Sequence, residues 1–278
     1  LNVNNLSITS TGSVTELGDI DIDGTLTVSA VGQAIDLSGT GNDLTGAVTL
    51  TGAAVTLEDT TDTSIAGITA TGALSVTSGG AITQTGAVDA DLASSFTTST
   101  ADQAITLSNT ANALTGAVSL TTSGTVGHVT IDNGTTALGV QGTVSGDLAL
   151  TSGEAITDSA ALSVTGTTTV TTDVADKTIT LDTLASTGAV LLTTSGTAGN
   201  VLIDNGTTAL DLGASTISGT LSATSGAAAG IVDSGNVAVS GDVTLTTDAN
   251  NGVINLGTLQ QSGGDLILTT NGTGDATV

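Results

Sequence analysis

Apolar residues along this chain come in pairs two positions apart: Leu26/Val28, Ile35/Leu37, Val48/Leu50, Leu74/Val76, Ile105/Leu107, Val129/Ile131, Leu148/Leu150, Ile179/Leu181, Val201/Ile203, Val243/Leu245 and Leu266/Leu268. The residue between the partners is usually Thr, Ser or Ala. Alternation with period two is the signature of a strand buried on one side. Gly, Asn-Gly and Ser-Gly punctuate the chain between pairs, where turns are expected. No stretch carries a sustained helical stripe of apolar residues. The pattern predicts short strand, turn, short strand along the whole chain.

These pairs belong to a longer repeat. LTVSAVGQAIDL (26–37), FTTSTADQAITL (96–107), VTTDVADKTITL (170–181) and LTTDANNGVINL (245–256) align without gaps. SGTVGHVTIDNGTTAL (123–138) returns as SGTAGNVLIDNGTTAL (195–210) with three letters changed. The long repeats run approximately 26–95, 96–169 and 170–244, with partial repeats at 1–25 and 245–278. A sandwich or barrel has no reason to repeat its sequence at this interval. A solenoid does, because equivalent positions of successive coils stack on one another. The expected fold is therefore all-β: a right-handed parallel β-helix (β-solenoid) forming one continuous array over 1–278. With about 18 to 24 residues per coil and strands ~4.8 Å apart, the array would be a rod roughly 55–75 Å long.

Composition agrees with narrow coils. Of 278 residues 38 are Gly, Phe96 is the single aromatic, and Pro, Cys, Met, Trp and Tyr are missing. Thr makes up roughly a fifth of the chain, well above ordinary usage. Mean hydropathy is nonetheless +0.38, too apolar for a disordered chain. A thin parallel core suits stacked Val, Ile, Leu and Ala, while Pro would break ladders paired on both sides.

The net charge is −25, and Lys177 is the only Lys or Arg. This argues against a nucleic-acid partner, because phosphate binding needs clustered cations. Attraction to an anionic membrane surface is disfavoured for the same reason. No run of 18 apolar residues is present, so no transmembrane helix is expected. The chain has neither an initiator Met nor a signal peptide, which reads as an internal piece or mature product of something longer.

The repeats also weigh the candidate chemical groups. His128 aligns with Asn200 beside a Gly turn, which reads as a surface turn rather than a ligand or base. Lys177 aligns with Gln103 and Gln33 and reads as a solvent-exposed corner; Phe96 aligns with Leu26, Val170 and Leu245 and reads as core filler. Asp132 and Asp204 recur in the phrase IDNGTT. Two readings stay open there: an Asx turn in which Asp caps its own backbone, or a carboxylate ladder that loosely binds Ca²⁺, a cation that takes oxygen ligands. The Ca²⁺-binding repeat GGxGxDxUx is not reproduced. Asn5, Asn133, Asn205 and Asn271 each open an N-x-S/T sequon, a glycan site in a secreted eukaryotic protein or simply a turn. Scattered T-x-T pairs lack the fixed beat of a Thr-lattice ice-binding face. No nucleophile–base pair, metal cluster or phosphate loop is present in the sequence, so no enzyme activity and no required cofactor are expected.

GALSVTSGGAITQTG, GTTTVTT and DLILTTNGTG resemble the repeat regions of bacterial surface proteins of the filamentous haemagglutinin type, and are similar to the β-helical passengers of autotransporters. The resemblance covers essentially the whole chain and rests on low-complexity pattern. It implies a right-handed parallel β-helix secreted to the cell surface: a stalk segment of an adhesin, or alternatively a self-assembling extracellular filament or sheath subunit. Its partners would be further copies of the repeat end to end, and a host or cell-surface receptor reached through regions outside this segment. A polysaccharide-acting enzyme on the same fold is disfavoured, because the chain lacks the Arg, Lys and aromatic platforms of such grooves.

Overall fold

The computed structural model describes all residues, 1–278, and contains 36 short strands and no helix. The strands run parallel and stack as a β-solenoid of about 13 turns. With no helix at all, none is long and apolar enough to cross a membrane. The chain divides into two units, Leu1–Gly139 and Val140–Val278.

In the first unit, Leu6–Thr9 pairs with Leu26–Ser29, which pairs with Ala47–Gly52 and then Thr63–Ala70. A second face stacks Ile35–Leu37, Val55–Asp59, Leu74–Ser78, Ser94–Thr98 and Ala117–Thr121. The third stacks Asn2–Val3, Asp21–Ile22 and Asp43–Leu44. Because the pairing is parallel and in register, the inward residue of each coil sits directly on its counterpart. Leu37, Leu57, Val76, Phe96 and Leu120 form one buried column, and Ile35, Val55, Leu74, Ser94 and Val118 form the next. Each such aliphatic side chain contributes about 1.5–3 kcal/mol by leaving water. Phe96 is fully buried between Val76 and Leu120, as expected of core filler, with the small Ser94 beside it in the neighbouring column.

The second unit repeats the construction. Leu148–Ser152, Thr168–Thr172 and Val190–Thr193 stack on one face. Ile179–Leu181, Val201–Asp204, Leu221–Ser225 and Val243–Asn250 stack on another. Here Leu181, Ile203, Ala223 and Leu245 make the buried column.

The outward positions are the Thr and Ser residues of the sequence pattern, such as Thr56 on Ser75 on Ser95 on Ser119. The coil length is not constant. Ser94 stacks on Val118 after a longer excursion of the chain than separates Val55 from Leu74, and the extra residues go into corners.

Candidate functional site

The polar chemistry of this molecule lies at the corners of the coils, where the chain turns from one face to the next. Turning leaves backbone N–H and C=O groups without ladder partners, and buried ones must be satisfied by something else. Asn133 and Asn205 do this. Each continues the inward alternation of its strand (Val129, Ile131, Asn133; Val201, Ile203, Asn205) and is fully buried.

Asn133 Oδ1 accepts the Leu114 N–H at 2.8 Å, while its Nδ2 donates to the carbonyls of Leu114, Thr136 and Ala137 at 3.1, 3.1 and 3.0 Å. Asn205 makes the same set with Ser186 N–H, Ser186 O, Thr208 O and Ala209 O at 2.7, 3.0, 3.4 and 2.8 Å. Each opens a turn, with Thr136 N–H on Asn133 O and Thr208 N–H on Asn205 O, as the turn reading of the sequence expects, and both side-chain amides are consumed inside the corner. Asn5 and Asn271 are exposed.

Asp132 and Asp204, the residues weighed for Ca²⁺, each accept the N–H of the glycine two positions on, Gly134 and Gly206, at 2.9 Å. Both are Asx turns. No group of three or more His, Cys, Asp and Glu side chains is placed to hold a metal ion. His128 is exposed. Lys177 departs from expectation. It is about a third exposed (29%) rather than free in solvent, because Nζ lies 2.7 Å from Glu154 Oε2.

The repeated phrase SGT-x-G owes its recurrence to a carboxylate on the preceding coil. Asp102 and Asp176 adopt left-handed backbone, at φ of 64° and 65°. Asp102 Oδ1 accepts Thr125 N–H and Val126 N–H at 2.6 and 2.9 Å; Asp176 Oδ1 accepts Thr197 N–H and Ala198 N–H at 2.6 and 2.8 Å. These donors hold both carboxyls below the ordinary carboxylate value, since hydrogen bonds to the charged form favour it. The glycine of each SGT is required: at Gly124 and Gly196 φ is 92°, and a Cβ would sit 2.2–2.3 Å from the capping oxygen. Only glycine tolerates both conditions. Asn251 (φ 62°) caps Thr273 of NGT in the same way, at 2.8 Å. Sequence reasoning missed this pairing. Its signal is a left-handed Asp or Asn followed about one coil later by Ser/Asn-Gly-Thr.

A hollow of about 410 Å³ on the first unit is open and lined by Thr45, Thr60, Thr61, Asp62, Gly79 and Gly80. Its carboxylate is already engaged, since Asp62 Oδ1 accepts the Ala81 N–H at 2.8 Å.

Columns of aliphatic residues, satisfied corners and a sequence that repeats with the coils define a β-solenoid repeat protein. The chain belongs to a family described as repeats of unknown function (DUF5649), which matches residues 1–51, 52–121, 126–195 and 198–258. No curated protein and no solved structure matches it.

Proposed function

We propose that the chain is a structural repeat segment of a large secreted bacterial surface adhesin or fibre, and that it works as a rigid, non-catalytic stalk without a required cofactor. The observation that carries this reading is the distribution of its hydrogen bonds. Inward polar groups such as Asn133, Asn205 and Thr247 are buried and spent on backbone, so their chemistry goes into holding coil on coil. A solenoid repeat protein of this kind suits a structural role. The resemblance to haemagglutinin-type repeats supports the cell-surface setting. There the net charge of −25 would oppose non-specific clumping.

Electron microscopy of the purified chain, in Ca²⁺ and then in EDTA, tests the proposal. Single short rods under both conditions are expected of a stalk. Globular particles would overturn it. Uniform filaments would favour the self-assembling subunit instead, and their dissolution in EDTA would assign a joint to Ca²⁺.

A further inference from the structure

One kind of corner occurs twice in the first unit, on different faces and with different chemistry. In the second version Gln84, Asn112 and Asn133 form a run of three amides. Gln84 Oε1 accepts Asn109 N–H at 3.1 Å and Asn112 Nδ2 at 2.9 Å, while Gln84 Nε2 donates to Gly86 O at 2.7 Å and Asn112 Oδ1 at 2.9 Å. Asn112 Oδ1 takes the Val88 N–H, and Asn112 Nδ2 reaches Leu107 O and Asp132 O.

The first version has Glu16, Asn42 and Asp59 at the same three places. Glu16 Oε1 accepts from Gly39 N–H and Asn42 Nδ2, Asn42 Oδ1 takes the Ile20 N–H, and Asn42 Nδ2 reaches Leu37 O and Glu58 O. Asp59 Oδ1 accepts Leu44 N–H at 3.1 Å, as Asn133 accepts Leu114 N–H.

The two corners differ by their donors. An amide brings an NH₂ group, whereas an ionised carboxylate only accepts. Where Gln84 Nε2 donates twice, Glu16 Oε2 is buried with no hydrogen-bond partner. Where Asn133 donates three times, the 1%-exposed Asp59 can donate nothing; its second oxygen instead accepts Thr63 Oγ1 at 3.1 Å.

Nearby charge does not compensate. The strands packed here carry Asp36, Asp43 and Glu58, the adjoining turns carry Asp19 and Asp62, and Leu74–Ser78 carries no charge. The amino terminus donates to the Asp19 carbonyl. Lys177 belongs to the other unit.

We propose that Asp59 is a proton-binding site, in which the buried carboxyl takes a proton in mild acid and then donates as Asn133 does permanently. No bond other than O–H forms, and the proton comes from solvent. Burial lifts the Asp59 carboxyl above the ordinary value, against the opposing pull of the Thr61 and Leu44 N–H groups and the Thr63 and Thr61 hydroxyls, as desolvation of a charged form requires. A folded-state value above the unfolded 3.8 means that the folded corner binds more protons between the two. This corner therefore gains stability as pH falls from neutrality through the raised value, and the gain is complete at the unfolded value.

The test uses the full chain and the variant Asp59→Asn, with Asn133→Asp as the converse. Urea unfolding and Leu44 amide exchange are read at neutral pH and at about pH 5, in high salt to screen general acidic repulsion. Asp59→Asn is expected to slow Leu44 exchange at neutral pH by about five- to tenfold, the worth of one buried hydrogen bond. Asp59→Asn should also lose the stability gain that the native chain shows in acid, and Asn133→Asp should acquire one. An unchanged pH dependence in Asp59→Asn would overturn the proposal. Should variants fail to fold, carboxyl NMR titration of the native chain decides: an Asp59 midpoint at or below that of exposed aspartates also overturns it.

Discussion

The apolar columns and the polar corners of this solenoid obey different rules. Along a column, apolar residues of different shape follow one another freely: Leu37, Leu57, Val76, Phe96 and Leu120 stack in turn, and all five are buried. A column asks for volume and lack of polarity. At a corner the side chain has a fixed list of partners, and Asn133 and Asn205 reproduce it bond for bond. Columns thus set how much stability each coil contributes, and corners set where each coil must turn.

The largest effect should come from emptying a column. Phe96→Ala removes a fully buried ring and is expected to cost about 3–5 kcal/mol in urea unfolding. Phe96→Leu should cost far less, because Leu37, Leu57 and Leu120 fill the same column at other coils. If Leu proved as damaging as Ala, column positions would be as exacting as corners and the distinction would fail.

Next comes the corner itself. Asn133→Ala strips the Leu114 N–H and three carbonyls of their partner at once. It should cost about 2–4 kcal/mol after water repairs part of the loss. Amide exchange at Leu114 should rise along with the loss of stability. A cost no larger than about 0.5 kcal/mol, as at ordinary surface sites, would demote the corner to a simple turn.

The columns were legible in the sequence and the corners were not, for a physical reason. Val129/Ile131 announces a strand by local alternation, which needs no knowledge of neighbouring coils. The role of Asn133 depends on Leu114, on the preceding coil, lying directly beneath it. N-G-T read simply as a turn, because the burial of its Asn comes from stacking. One clue was present: extending the alternation by two places puts Asn133, Asn205 and Asp59 on the inward side. Coil length stayed open because corners absorb anything from none to several extra residues, so shorter and longer steps coexist on one face. The Asp102 and Asp176 caps were hidden similarly, since each spans from one coil to the next.

Those caps sharpen the comparison through pH, with a sign opposite to that of Asp59. Thr125 and Val126 N–H bonds hold Asp102 below its unfolded value of 3.8, so the folded loop binds fewer protons between the two values. The cap's contribution is present above 3.8 and is lost as pH falls through the depressed folded value. Hydrogen exchange at Thr125 and Val126 should stay protected at about pH 5 and lose protection well below the ordinary carboxylate value. Asp102→Ala should expose both amides at every pH while leaving the column residues protected, because the loop is local and solvent-facing. Loss of protection across Leu120 as well would mean that corner and column unfold together.

The smallest effect is expected at the only lysine. Lys177 Nζ lies 2.7 Å from Glu154 Oε2, yet the two side chains remain 29% and 45% exposed. At such exposure water and salt weaken the pair. The residues at the aligned positions of other copies, Gln103 and Gln33, carry no charge. Lys177→Gln should therefore shift unfolding by less than about 0.5 kcal/mol, within the range usual for exposed ion pairs. The measurement needs both low and high salt. Removing the sole Lys also raises the acidic excess of the chain, and that repulsion is screened by salt. A small loss that vanishes in salt would be charge balance, indifferent to which corner lost its cation. A loss that persists in salt would mean that the side-chain stem packs against the coil, and that even an exposed corner carries partners as specific as those of Asn133.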